Sequence, residues 1–177
     1  PARLIIPGWE GSTHVKWLKK IVFRNSPVFS RNETSRYTDL LPSGKAVQFS
    51  FKMKSKSIIL SPSVGQKINP GKVFITGLAW SGTSYIKKVQ ISFDRGKKWF
   101  DVKLDQKEKK KSFLRFNYIY NWTGNEIIIC SRCIDGKNTT QPSRESFLKK
   151  MGHNAYYHYN GITYWKISPS GNVSHTY

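Results

Sequence analysis

The sequence predicts a mainly β protein, on three observations. Seven short segments rich in β-branched and aromatic residues recur at near-regular spacing, Gly, Pro, Asn and Asp separate them, and no strong helical periodicity falls between them. Together these point to an immunoglobulin-like (E-set) β-sandwich beginning near residue 53.

The segments before that point read differently. Leu4-Ile5-Ile6 is a short apolar run stopped by Pro7-Gly8, which predicts a buried strand ending in a turn. After Gly11 the chain resumes with Val15, Trp17 and Leu18 around Lys16. Such a strand, turn and strand brings Arg3 beside Lys16. Two cations held next to glycine-rich backbone suit an anionic ligand, although a solvated surface pair is an alternative. From Lys19 to about Lys52, turn residues (Asn25-Ser26-Pro27, Arg31 to Ser35, Pro42-Ser43-Gly44) alternate with Phe23, Val28, Phe29, Tyr37, Leu40 and Leu41. These apolar residues need burial, so the stretch is expected to wrap a larger domain rather than to hang free.

The strands are expected at Lys56 to Leu60, Lys72 to Thr76, Ile86 to Phe93, Lys98 to Leu104, Phe113 to Trp122, Glu126 to Ile134 and Ile162 to Ile167. Asp94-Arg95-Gly96 predicts a tight hairpin turn. Only Ser143 to Met151 has short helical character.

Composition bounds the function. A chain of 177 residues with 38% hydrophobic content and six Trp makes a packed core, as one domain or as one domain plus a remnant. Its formal charge is +20, from 30 Lys and Arg against 10 Asp and Glu. Such a field attracts anions or an acidic partner, but most lysines, including Lys107 to Lys111, fall where turns and solvent faces are expected. No helix-turn-helix, zinc-finger or RNP-type motif accompanies the charge, so nucleic acid is not an expected partner. No apolar run reaches membrane-spanning length. Cys130 and Cys133 lie three apart in an apolar strand and so point to opposite faces, which disfavours a disulfide or a shared metal and predicts buried, inert thiols. No metal ligand is expected from this chain.

Several motifs carry a resemblance. The opening Pro1-Ala2-Arg3-Leu4, Pro7-Gly8, Gly11 and Val15-Lys16-Trp17-Leu18 resemble the closing stretch of the molybdenum-cofactor domain in the sulfite oxidase family. Gly77-Leu78-Ala79-Trp80-Ser81-Gly82, Ile86 to Trp99 with its Asp94-Arg95-Gly96 turn, and Arg132 to Asp135 followed by Gln141-Pro142 resemble that family's dimerisation domain. Glu33 to Pro42 and Tyr157 to Ile162 are most similar to its sulfane dehydrogenase (SoxC-type) branch. The resemblance implies that residues 1–52 are the tail of an α+β molybdopterin-binding domain and residues 53–177 an immunoglobulin-like dimerisation domain.

The resemblance also assigns roles. Arg3, His14, Val15 and Lys16 match cofactor-contacting positions, and Tyr37 matches a substrate-pocket tyrosine, with a core tyrosine as its alternative. The family's cofactor-contacting His and its molybdenum-ligating Cys would fall before Pro1. The whole enzyme is expected to oxidise sulfite or protein-bound sulfane sulfur in the periplasm, pass electrons to cytochrome c and form a homodimer, this chain alone being inactive. Tyr157-His158-Tyr159 stands where the family carries a substrate-binding Arg, which disfavours free sulfite. The alternative is a non-catalytic basic β-sandwich that binds an acidic protein or polyanion.

Overall fold

Alternation of apolar and polar side chains organises most of the chain from Lys56 onward. The structure, a computed structural model, describes residues 2–104, 109–155 and 157–177. Pro1 and, in the Lys107 to Lys111 cluster, residues 107 and 108 lie outside the described residues. In chain order the elements are α1 (Arg31–Ser35), β1 (Asp39–Leu40), β2 (Ala46–Val47), β3 (Lys56–Ser61), β4 (Gly71–Trp80), β5 (Ile86–Ser92), β6 (Phe100–Asp101), β7 (Leu114–Trp122), β8 (Ile127–Asp135), α2 (Arg144–Met151), β9 (Tyr164–Ile167) and β10 (Val173–Thr176). Strands β3, β4 and β7 form one antiparallel sheet, and β10, β9, β8, β5 and β6 form another, in those orders.

The two sheets enclose one core. Val73, Ile75 and Ala79 of β4, Phe116 of β7, Val89 and Ile91 of β5, and Ile129 and Cys133 of β8 all join it. Removing such side chains from water is the main drive for the fold, about 2 kcal/mol for each large one. The strand expected to stop at Thr76 continues through Gly77 to Trp80. Glycine is required there because a Cβ would lie 2.2 Å from the Phe116 ring and 2.4 Å from the Ile58 carbonyl oxygen. The ring therefore crosses directly under β4.

Buried polar groups stitch the two sheets together. Gln141 Oε1 accepts from Ser57 N–H at 2.8 Å and from Ser57 Oγ at 2.9 Å, and the Ser57 and Ser131 hydroxyls meet at 3.0 Å. Asp135 closes one end: its carboxylate accepts from Ser55 Oγ at 2.7 Å, Ser81 Oγ at 3.2 Å, and the Lys137 and Thr139 amides at 3.0 Å each. Burial pushes that carboxyl up, yet the hydrogen bonds outweigh burial and hold it below its ordinary value. The Arg132 to Pro142 motif is thus a structural bracket.

The cysteines sit as expected. Cys130 packs with Ile162 and Tyr164 on one face of β8, Cys133 joins the main core on the other, and both are free. Burial pushes each thiol up to about 12.

Three expectations are corrected. The strand expected over Lys98 to Leu104 pairs only at Phe100–Asp101. The Asp94 side chain captures the Lys97 and Lys98 amides at 3.1 and 2.9 Å, so the turn consumes residues that would otherwise join the ladder. Leu4 to Ile6 is not a buried strand: pairing there is a single bridge at Arg3, and Ile5 is 63% exposed. Phe23 is 94% exposed, with Val28, Phe29 and Leu40 also open; the Phe29 ring meets only the edge of Phe49, at 5.4 Å, and stays 66% exposed. The strand β10 was unforeseen; it completes the sheet by pairing with β9 from Val173 to Thr176.

Replacing Asp135 with Ala strands two buried hydroxyls and two amides, and should destabilise the chain by about 3 kcal/mol in a urea titration. A loss under about 1 kcal/mol would show that the bracket contributes little.

Candidate functional site at the edge of the sandwich

The opening residues form a small hairpin. Leu4 N–H donates to Val15 O at 2.9 Å and Leu18 N–H to Ala2 O at 3.0 Å, so Arg3 and Lys16 are cross-strand partners, as expected. A one-turn 3₁₀ helix, Gly11–Thr13, reverses the chain between the arms. Thr13 Oγ1 donates to Glu10 O at 2.7 Å, and His14 Nε2 lies 3.2 Å from Ile6 O, which fixes the imidazole against the other arm. Both cations are exposed, and among the described residues neither is paired with a carboxylate. Immediately after Lys16, Trp17 adopts φ +52°, an unusual conformation for a bulky residue, and turns its indole outward at 69% exposure. The hairpin thus presents Arg3, Val15, Lys16 and Trp17 on open surface.

This hairpin is held to the sandwich by backbone. Met53 N–H donates to Gly8 O at 3.0 Å, and Gly82 N–H donates to Met53 O at 2.9 Å. A Cβ on Gly8 would lie 2.4 Å from Gly82 O, and one on Gly82 would lie 2.2 Å from Gly8 O. Only glycine at both positions permits the approach, and Gly8 also has φ +84°. Next to it, Trp9 stacks on Phe51 at 5.1 Å and Glu10 N–H donates to Phe51 O at 3.0 Å.

Glu10 is the hub of a buried polar cluster. Its carboxylate accepts from the Tyr157 hydroxyl, and its other oxygen lies 2.5 Å from His158 Nδ1. Tyr157 N–H donates to Asp39 Oδ1 at 2.9 Å, and Ser12 Oγ lies 3.3 Å from the Tyr157 hydroxyl. The Tyr37 and Tyr157 rings pack at 5.1 Å. Burial raises the Glu10 carboxyl and, with nearby Lys54, lowers the His158 imidazole. Both shifts run in the direction that burial imposes on an ionisable group. Burial and the Glu10 hydrogen bond push the Tyr157 phenol up to about 12, so it stays a donor at neutral pH.

The structure therefore places the sequence-derived residues in two neighbouring groups. Arg3, Val15 and Lys16 stand on the hairpin surface; Tyr37 sits in the Glu10 cluster; the turn bearing Ser12 and His14 lies between them. Glu10 escaped sequence reasoning. A signal existed, since it is the only acidic residue before Glu33 in a chain of +20 charge. Tyr159 turns away from this cluster: its ring packs on Phe147 at 4.8 Å, and Lys56 Nζ donates to its carbonyl at 2.8 Å. Among the described residues no cluster of three or more His, Cys, Asp or Glu could hold a metal ion. Arg3 and Lys16 are exposed cations, a chemistry that suits an anionic group.

Comparison with known proteins follows this geometry. The profile of a family described as the Mo-co oxidoreductase dimerisation domain matches residues 47–164. Human mitochondrial sulfite oxidase is 31% identical over 118 residues, covering 62% of this chain and 22% of that protein. Sulfite oxidase of Arabidopsis thaliana is 28% identical over 151 residues, covering 80% and 37%. The crystal structure of the sulfane dehydrogenase SoxCD from Paracoccus pantotrophus matches with a TM-score of 0.95 and 38% identity, over 100% of this chain and 46% of that one. The chain thus spans only a minor share of each of these relatives.

The His158 imidazole has an acid-side signature. Its folded value lies below the ordinary 6.5, so its contribution to stability is present above that pH and is lost as pH falls through the folded value. The melting temperature should drop between about pH 7 and 5.5, and His158→Gln should shrink that drop. An equal drop in the variant would remove His158 from the account.

Proposed function

Because the chain belongs to the molybdenum-cofactor oxidoreductase dimerisation family, we propose that it is the C-terminal part of an enzyme that oxidises sulfite or protein-bound sulfane sulfur. In this reading residues 1–52 complete the cofactor domain and residues 53–177 are the dimerisation domain. The observation that carries it is the extent of the structural likeness. The family profile begins at residue 47, whereas the match to sulfane dehydrogenase runs over the whole chain, the hairpin of Arg3 and Lys16 included.

The cofactor, when bound, supplies two-electron redox chemistry at molybdenum, with water as the oxygen source. Arg3 and Lys16 would hold its anionic part through charge-assisted hydrogen bonds, with His14 and Val15 contributing contacts from the same hairpin arm as Lys16. Tyr37 orients the substrate with its phenol. Tyr157, kept protonated and bonded to Glu10, fixes the Tyr37 ring from behind and takes no part as a base.

Substrate choice follows from what the site lacks. Tyr159 is committed to the Phe147 cluster, so the segment that carries an Arg in the resembling family extends no cation here. A substrate whose anionic group is anchored elsewhere, such as a sulfane on a carrier protein, suits this site better than free sulfite. Electrons leave to a cytochrome c, and the whole enzyme works in the periplasm as a homodimer. The exposed stretch around Ile21, Val22, Phe23, Val28 and Phe29 is the surface on which the remainder of the cofactor domain rests.

The test is the full-length enzyme assayed for cytochrome c reduction with sulfite and with a protein-linked sulfane. The carrier substrate should give the higher kcat/KM; a reversed preference would overturn the substrate assignment. Arg3→Ala with Lys16→Ala should lower pterin content after purification about tenfold, two charge-assisted bonds being lost. Unchanged pterin content would overturn the cofactor assignment.

A further inference from the structure

Several lysines of the sandwich find a partner on its surface: Lys88 pairs with Asp101 at 2.8 Å, Lys166 with Glu126 at 2.7 Å, and Lys87 donates to Asn138 at 2.8 Å. Lys52, Lys54 and Lys150 do not. Among the described residues they are paired with no carboxylate, and all three are exposed and line one cavity of about 470 Å³. Two segments build it. In the first, Met53 is fixed by its backbone bonds to Gly8 and Gly82, and Lys54 Nζ lies 5.9 Å from the centre of the Phe147 ring. The second is α2, whose start is set by Ser143, its hydroxyl oxygen accepting from Ser146 N–H at 3.1 Å. Residues 146, 147, 150 and 151 fall at the spacing that shares one side of a helix, with Phe147 and Met151 buried and Ser146 and Lys150 exposed. The one carboxylate among the described lining residues, Asp135, is taken by Ser55, Ser81 and two backbone amides.

We propose that this cavity binds an organic oxyanion, a sulfonate or a phosphate monoester, whose charged head meets Lys54 and Lys150 and whose short apolar body rests on Phe147 and Met151. Ammonium groups that share a cavity repel one another, and an anion between them turns that repulsion into attraction. Lys54 feels this directly. Partial burial lowers its ammonium below the ordinary value, Asp39 offsets the effect, the charge on Lys150 adds to it, and Glu10 offsets it again. A head with three acceptor oxygens takes both ammoniums and the hydroxyls of Thr140 and Ser146 at once, which the two oxygens of a carboxylate do less fully. The buried Phe147 and Met151 side chains add apolar surface that an inorganic anion leaves unused. None of Arg3, His14, Val15, Lys16 and Tyr37 lines this cavity, so it is a second anion site, on the sandwich and apart from the hairpin.

Calorimetric titration of the full-length enzyme with butanesulfonate, methanesulfonate, butyl phosphate and methyl phosphate tests this. Each butyl compound should bind about tenfold tighter than its methyl counterpart, and the tighter of the two butyl compounds identifies the head group. Equal affinity of butyl and methyl compounds would overturn the ligand class. Lys54→Ala combined with Lys150→Ala should weaken butyl binding about tenfold, while Lys149→Ala, whose side chain does not line the cavity, leaves it unchanged. An equal loss in both would reduce the effect to the overall +20 field and overturn the site. Lysine acetylation followed by peptide mass spectrometry needs no substitution. Saturating butanesulfonate or butyl phosphate should slow labelling of Lys54 and Lys150 and spare Lys149 and Lys16 from any change. Protection of Lys16 alone would place the anion at the hairpin, and unprotected Lys54 with every compound would overturn the proposal outright.

Discussion

The position of the opening hairpin hangs on a backbone contact between two glycines. Gly8 and Gly82 approach so closely that neither tolerates a Cβ, and Met53 is threaded between them, accepting from one and donating to the other. That three-strand junction gives the opening hairpin a fixed position on a sandwich whose own core does not touch it. Without it, Arg3 and Lys16 would be cations on a loose tail. With it, they become a surface of defined orientation, because the hairpin's register, the Trp9 stack on Phe51 and the Glu10 bonds all follow from the same docking. Charged groups bind anions well only when their positions are set in advance.

The Glu10 cluster shows how such a junction is locked with few acids. Ten carboxylates serve 30 cationic side chains, yet Glu10, Asp39 and Asp135 are spent on tyrosine, histidine, serine and backbone donors instead of on lysines. Neutral or internally compensated pairs can be buried at small cost, whereas a lysine partner would have to be desolvated with its charge. Most of the positive charge is therefore left on the outside, where it supplies a field and little stability.

Much of this was legible in the sequence, and the misses have physical causes. Richness in β-branched and aromatic residues between turn formers marked the strands from Lys56 to Ile167 apart from Lys98 to Leu104, the three-residue spacing of Cys130 and Cys133 placed them on opposite faces, and the spacing of Arg3 and Lys16 across two glycines anticipated their pairing. These features are local. The bond from Tyr157 to Glu10 joins residues 147 positions apart, and no local pattern encodes it. The reason for Gly77 was equally hidden, since it lies in the size of Phe116 on a strand 39 residues later. The expected burial of Phe23 and Phe29 failed for another reason: hydrophobicity states that a side chain needs cover, and the cover need not belong to the same stretch of chain.

The placement of the two cysteines bears on chemical compatibility. Thiol exchange proceeds through the thiolate, and a thiol raised to about 12 is almost wholly protonated at neutral pH. This chain carries two cysteines and keeps both buried and un-ionised, so a reagent that reacts through thiolates finds neither of them available.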